Sequence, residues 1–144
     1  MAKENRKKKQ RPLKIKNQRK EEIKVSLKNS NNTPLFCFKH FDYELLEKYK
    51  KHKSELCYEF LKRLQKLTEL GWDEIRKSDR HNYGMEKIPV KQIKVSLPNF
   101  ITPDVEDLHV FRVNNSNIPF IGLQVETIFY VLFIEPEFGV VYKH

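Results

Sequence analysis

Six side chains offer this chain its chemistry: Arg112, Tyr142 and His144 toward the C-terminus, and His81, Tyr83 and Lys87 within one loop. Arg112 lies in the apolar run 108–113 (LHVFRV), between Phe111 and Val113. A guanidinium with such neighbours must reach a carboxylate or a water-filled cleft, because an unpaired charge is too costly to bury. Pairing with Glu126 or Glu135 would make it structural, whereas an open cleft would make it part of a site. Residues 80–87 (RHNYGMEK) gather Arg80, His81, Tyr83 and Lys87 around a glycine. That density of titratable and aromatic groups suits a site on a loop, and it equally suits a solvated loop of a lysine-rich protein.

Other chemistries leave no trace. The sequence has no glycine-rich phosphate loop, no HExxH, no paired-cysteine zinc pattern and no nucleophile elbow. The histidines at 40, 52, 81, 109 and 144 lie on separate segments without metal-ligand spacing. The expectation is therefore a site with no metal and no cofactor.

A sheet must bring these residues together. The apolar runs 108–113, 118–123 (IPFIGL) and 128–134 (IFYVLFI), separated by short polar segments, predict an antiparallel meander. The unbroken run 128–134 predicts a central strand covered on both faces. Upstream, Pro34 introduces a short edge strand in 35–41 (LFCFKHF), and the polar stretch 42–53 has room for a short helix. Ser54 can cap a helix reaching about Leu70, with Leu56, Phe60, Leu64 and Leu67 on its apolar stripe and Cys57 and Leu61 widening it. Lys62, Arg63, Lys66 and Glu69 then fall on its outer face. Gly71 ends it as a left-handed cap, and residues 72–78 predict a second short helix packing Trp72 and Ile75 inward. Residues 88–97 (IPVKQIKVSL) fit either a strand from 93 to 97 or a helical turn at 89–93, and 98–107 reads as a loop. The class is α+β: an antiparallel twisted sheet of about four or five strands, with two N-terminal helices on one face.

The net charge of +9 belongs to one end of the chain. Residues 1–24 hold 11 Lys/Arg against 3 Glu, which leaves the remaining 120 residues near neutrality. Residues 1–32 also carry too few apolar side chains to offset the entropy of ordering, so they predict a basic, disordered tail preceding a single domain at 33–144. Such a tail is either a solubilising segment or an electrostatic arm for RNA, its salt-sensitive affinity carried by Lys7, Lys8, Lys9 and Arg11. Cys37 and Cys57 form no disulfide framework, and no apolar run approaches the roughly 20 residues needed to span a bilayer. A soluble protein of the reduced cytoplasm is expected.

With the strands in place, Phe111-Arg112-Val113, the apolar strand 129–134 and the terminal Val141-Tyr142 resemble the RelE/HigB/ParE-like small toxins over about residues 35–142. The combination WDEI, HNYG, EKIP, FR, IGL, FIE and YKH also resembles a small bacterial family of no assigned activity. The toxin resemblance implies a metal-independent mRNA endoribonuclease acting at or near the ribosome, with a small antitoxin as a possible partner. Arg112 would then stabilise the pentacoordinate phosphate, and Tyr142 and His144 would move protons at the 2′- and 5′-oxygens. His81 or Tyr83 would stack on or protonate a base, and Lys87 would add an RNA contact. The chain departs from the family in Glu135-Pro136-Glu137, where a basic residue is usual, and in acidic Asp104, Glu106 and Asp107 before the Arg112 strand; His81 and His144 can stand in as acid and base. A non-catalytic nucleic-acid- or ribosome-binding module of the same fold is the alternative.

Overall fold

Apolar spacing at a period of two or 3.6 residues sets the elements of this chain. A computed structural model describes residues 30–49, 53–114 and 117–144. Over these residues it forms β1 (Leu35–Cys37), α1 (Tyr43–Lys48), α2 (Lys53–Leu70), α3 (Trp72–Lys77), β2 (Glu86–Pro89), β3 (Asp107–Arg112), β4 (Pro119–Val125) and β5 (Ile128–Ile134). The expected basic tail lies outside the described residues, apart from its last three. One compact unit runs from Asn31 to His144.

The three apolar runs form the predicted meander, β3 to β4 to β5, within a five-stranded sheet of order β1-β5-β4-β3-β2. Two features differ from the sequence expectation. The sheet is mixed, because β1 runs parallel to β5, with Leu35 opposite Ile128 and Cys37 opposite Tyr130. Three residues on an edge carry no local mark of direction; only the route of the following chain, which spans the sheet from β1 at one edge to β2 at the other, sets it. The central strand is β4, and β5 lies one place in from the edge, between β1 and β4.

One face of the sheet carries α2 and α3, as expected. Phe60, Leu67, Trp72 and Ile75 pack on Phe111, Phe120 and Phe129. Those three rings meet one another at centroid distances of 5.0–5.9 Å, and Phe60 meets Phe120 edge-on at 5.0 Å. A third helix, α1, is capped by the Asp42 carboxylate, which accepts from Leu45 N at 2.9 Å.

The helical stripe is rotated from its predicted position. Cys57 is exposed and Leu61 is 69% exposed, whereas Arg63, expected outside, is only 8% exposed. Positions 56, 60, 63, 64 and 67 therefore face the sheet. An arginine can fill such a place because its guanidinium reaches past the apolar rim to acceptors. Gly71, at φ +82°, ends α2 as predicted, and a Cβ there would meet the Asn32 side chain at 2.6 Å. Asn32 Oδ1 accepts from Asp73 N at 2.8 Å, so this junction needs both the open backbone and the vacant volume.

The opposite face holds Leu108, Val110, Ile121 and Phe133, with Ile93, Val95, Leu97 and Phe100 packed over them. The ambiguous stretch 88–97 resolves into the end of β2, a 3-10 turn at Val90–Gln92 and a bridge from Ile93 to Tyr142. Lys94 N donates to Val141 O at 2.7 Å and Lys143 N to Gln92 O at 2.9 Å, which fixes the C-terminal segment onto the sheet.

β4 and β5 shift register at Ile121/Gly122, and a Cβ at Gly122 would lie 2.0 Å from Tyr130 O. Gly122→Ala is therefore expected to cost about 1–3 kcal/mol or more through overpacking. A thermal melt checks this, and an unchanged Tm would show that the two strands can separate locally to admit a methyl group.

Candidate active site

Pairing Glu86 with Val110 puts their side chains on one face of the sheet, with Arg112 as the diagonal neighbour. Arg112 Nη2 lies 3.5 Å from Glu86 Oε1, and Arg80 Nη1 lies 3.2 Å from Glu86 Oε2. One carboxylate is thus held between two guanidiniums. The Glu86 and Arg112 side chains are 21% and 16% exposed and that of Arg80 is 59% exposed, so the cluster opens to solvent on the Arg80 side. Arg80 Nε donates to His81 Nε2 at 3.4 Å, which attaches an exposed imidazole to the cluster. The loop is set by Asp79, whose carboxylate accepts from His81 N at 2.8 Å and whose carbonyl accepts from Gly84 N at 2.8 Å. Arg112 Nη1 also donates to Asn117 O at 3.5 Å.

A second carboxylate organises the C-terminus. Glu135 is fully buried and its Oε2 accepts from Val141 N at 2.9 Å and Tyr142 N at 3.2 Å. Its Oε1 contacts His144 Nε2 at 2.5 Å, and the His144 ring stacks between Phe138 and Tyr142, each at a centroid distance of 3.9 Å. The Tyr142 phenol is pushed up to about 12, first by burial and then by Glu135 and Glu86, with Arg112 opposing. It is accordingly a proton donor to hydrogen bonds across neutral pH, and it lies within electrostatic reach of the Glu86–Arg112 pair.

Arg112, Tyr142, His144 and His81, the four residues predicted to share a site, thus surround two carboxylates. The predicted partners of Arg112 have other duties: Glu126 sits at the turn between β4 and β5 with φ 54°, and Glu135 holds the C-terminal segment. Tyr83 and Lys87 are placed elsewhere. Tyr83 packs on the helical face, with the Arg63 guanidinium 4.6 Å from its ring centroid. Lys87 pairs with His109 on that same face and, after burial, is the next cause holding the His109 imidazole below its ordinary value. Lys7, Lys8, Lys9 and Arg11 lie outside the described residues.

Glu86 and Arg63 take places that the sequence did not disclose. Glu86 opens a four-residue strand whose register against β3 is invisible locally; the only signal was a carboxylate at the end of a loop already rich in cations. Among the described residues no three of His, Cys, Asp and Glu cluster as metal ligands, and no helix is long and apolar enough to cross a membrane.

The Tyr142 phenol supplies a check on this arrangement. An unfolded tyrosine ionises near 10, so between pH 10 and 12 the unfolded chain loses this proton before the folded one does. Stability held below pH 10 should therefore fall as pH rises through 12, and Tyr142→Phe should remove both that slope and the last phenol to appear in an ultraviolet titration. A full set of tyrosines titrating near 10 would place Tyr142 in water.

Compared with family models, curated proteins and solved structures, the chain finds no match.

Proposed function

We propose that the protein is a RelE-like endoribonuclease that cuts mRNA at or near the ribosome by metal-independent attack of a 2′-hydroxyl on the adjacent phosphate. The observation that supports this reading is the half-buried Glu86 carboxylate clamped by Arg80 and Arg112, with His81 alongside. An incoming phosphodiester takes the two guanidiniums over from Glu86, since a phosphate offers them the same charge and bidentate geometry. The released carboxylate accepts the proton of the 2′-hydroxyl as O2′ bonds to phosphorus. The P–O5′ bond breaks, and the departing 5′-oxygen takes a proton from His81, whose Nε2 is freed to carry one once Arg80 turns from it to the phosphate. The products are a 2′,3′-cyclic phosphate and a 5′-hydroxyl. Arg80 and Arg112 carry the charge that builds on the phosphoryl oxygens, and the protonated Tyr142 phenol adds a hydrogen-bond donor. His144 acts through Glu135, as a positioning residue.

The test uses the purified full chain, with free RNA in excess EDTA and with mRNA-programmed ribosomes in the Mg²⁺ that their assembly requires. Cleavage is expected in at least one of the two, with Arg112→Ala slower by about 10²–10³-fold, the usual cost of losing one donor to developing charge. RNA bound but intact in both would leave a non-catalytic nucleic-acid-binding module.

A further inference from the structure

On the helical face an open cleft of about 370 Å³ lies between α2 and the end of β3, lined by Lys62, Arg63, Lys66, Tyr83 and Asn114 among others. Its volume falls in the range that holds small ligands, about 300–1,000 Å³. Arg63 is its buried anchor: Nε donates to Val113 O at 3.3 Å and Nη1 to Asn82 O at 2.8 Å. Those carbonyls belong to the residues that directly follow Arg112 and His81, whose side chains lie on the opposite face, so an RNA strand must pass round the sheet edge at the 80–84 loop to reach both sites. Above Arg63 lies the Tyr83 ring, half-buried, with the guanidinium against it. Lys62 and Lys66 are exposed and one helical turn apart, which puts their stems about 5–6 Å from each other on the rim. Two acidic residues, Glu59 and Glu69, also line the cleft. Glu69 meets Lys66 at 3.9 Å with both side chains about half exposed, a pair weak enough to yield to a phosphate.

Cations on a rim, an aromatic platform and an amide are what a nucleotide requires, because its phosphate and its base are recognised separately. We propose that this cleft is a second nucleotide-binding site, which takes a base on Tyr83 and the neighbouring phosphates on Lys62 and Lys66 from the RNA strand flanking the scissile phosphate. The proposal rests on the RNA reading of the Glu86 site, yet binding is measurable without cleavage.

The experiment is fluorescence anisotropy with a short, labelled 2′-O-methyl RNA, which cannot be cut for lack of a free 2′-hydroxyl. Lys62→Ala/Lys66→Ala should weaken binding about tenfold and reduce the salt slope of log Kd by about 1.4, two single-strand phosphate contacts at about 0.7 each. Tyr83→Leu should lose about tenfold, near the cost of one base stack, with little change in salt slope. The lysines and Tyr83 are chosen because buried Arg63 is a folding residue, and a melt for each variant verifies its fold. Undiminished binding by both the lysine and Tyr83 variants would overturn this site even if RNA is cleaved. Weakened binding alongside absent cleavage would retain the site and remove the nuclease. A 5′-mononucleotide that competes as well as the strand would also overturn the proposal, since it would make the cleft a small-molecule site.

Discussion

Glu86→Gln should lower RNA cleavage by roughly 10²–10⁴-fold, the range for losing a positioned general base, while Tm stays within a few degrees. Glutamine keeps the shape and one acceptor oxygen for Arg112, so the sheet edge remains occupied. What disappears is the group that can take a proton. The pair with Arg80 lies in solvent and contributes little to stability, and the pair with Arg112 is only partly shielded. Full activity in Glu86→Gln would assign Glu86 to structure and require another base.

The second large effect concerns stability. Glu135→Ala leaves Val141 N and Tyr142 N buried without their acceptor and removes the partner of His144. Each orphaned donor costs about 1–3 kcal/mol, so a total loss of about 2–6 kcal/mol is expected, and at about 4 °C per kcal/mol for a domain between 100 and 150 residues the melting point should drop by roughly 8–24 °C. Glu135→Gln should lose less, because its carbonyl oxygen still serves the two amides. Protease sensitivity in residues 136–144 should rise in the alanine variant before the rest of the domain is cut. A small change in both would mean that Gln92, Ile93 and Lys94 hold the C-terminal segment without Glu135.

Much of this architecture was legible from spacing. The meander, the long helix with Phe60 and Leu67 inward, Gly71 at its end and Trp72 and Ile75 packed down all follow from local pattern, because each is fixed by residues within one or two turns. What escaped depends on distant partners. The parallel placement of β1 is one case, and Arg63 is another: its burial rests on carbonyls 19 and 50 residues away. Of the residues read as types suited to phosphate chemistry, Arg112 and His81 are linked by Glu86 and Arg80, a link the sequence did not display, whereas Tyr142 and His144 gather on Glu135. Glu86 meets Arg112 only through the β2–β3 register, and no run of sequence displays a register. Glu135 was noticed as a counter-charge, although its role is to accept backbone amides that follow it by six and seven residues.

The chemistry at Glu86 and Arg112 is tested most directly by the ends of the RNA it makes. Fragments from mRNA incubated with the purified full chain and ribosomes assembled in Mg²⁺ should carry 2′,3′-cyclic phosphates and 5′-hydroxyls, and 2′-O-methylation of the nucleotide before the cut should block cleavage there. Fragments ending in 3′-hydroxyl and 5′-phosphate, or mRNA left intact, would contradict the account.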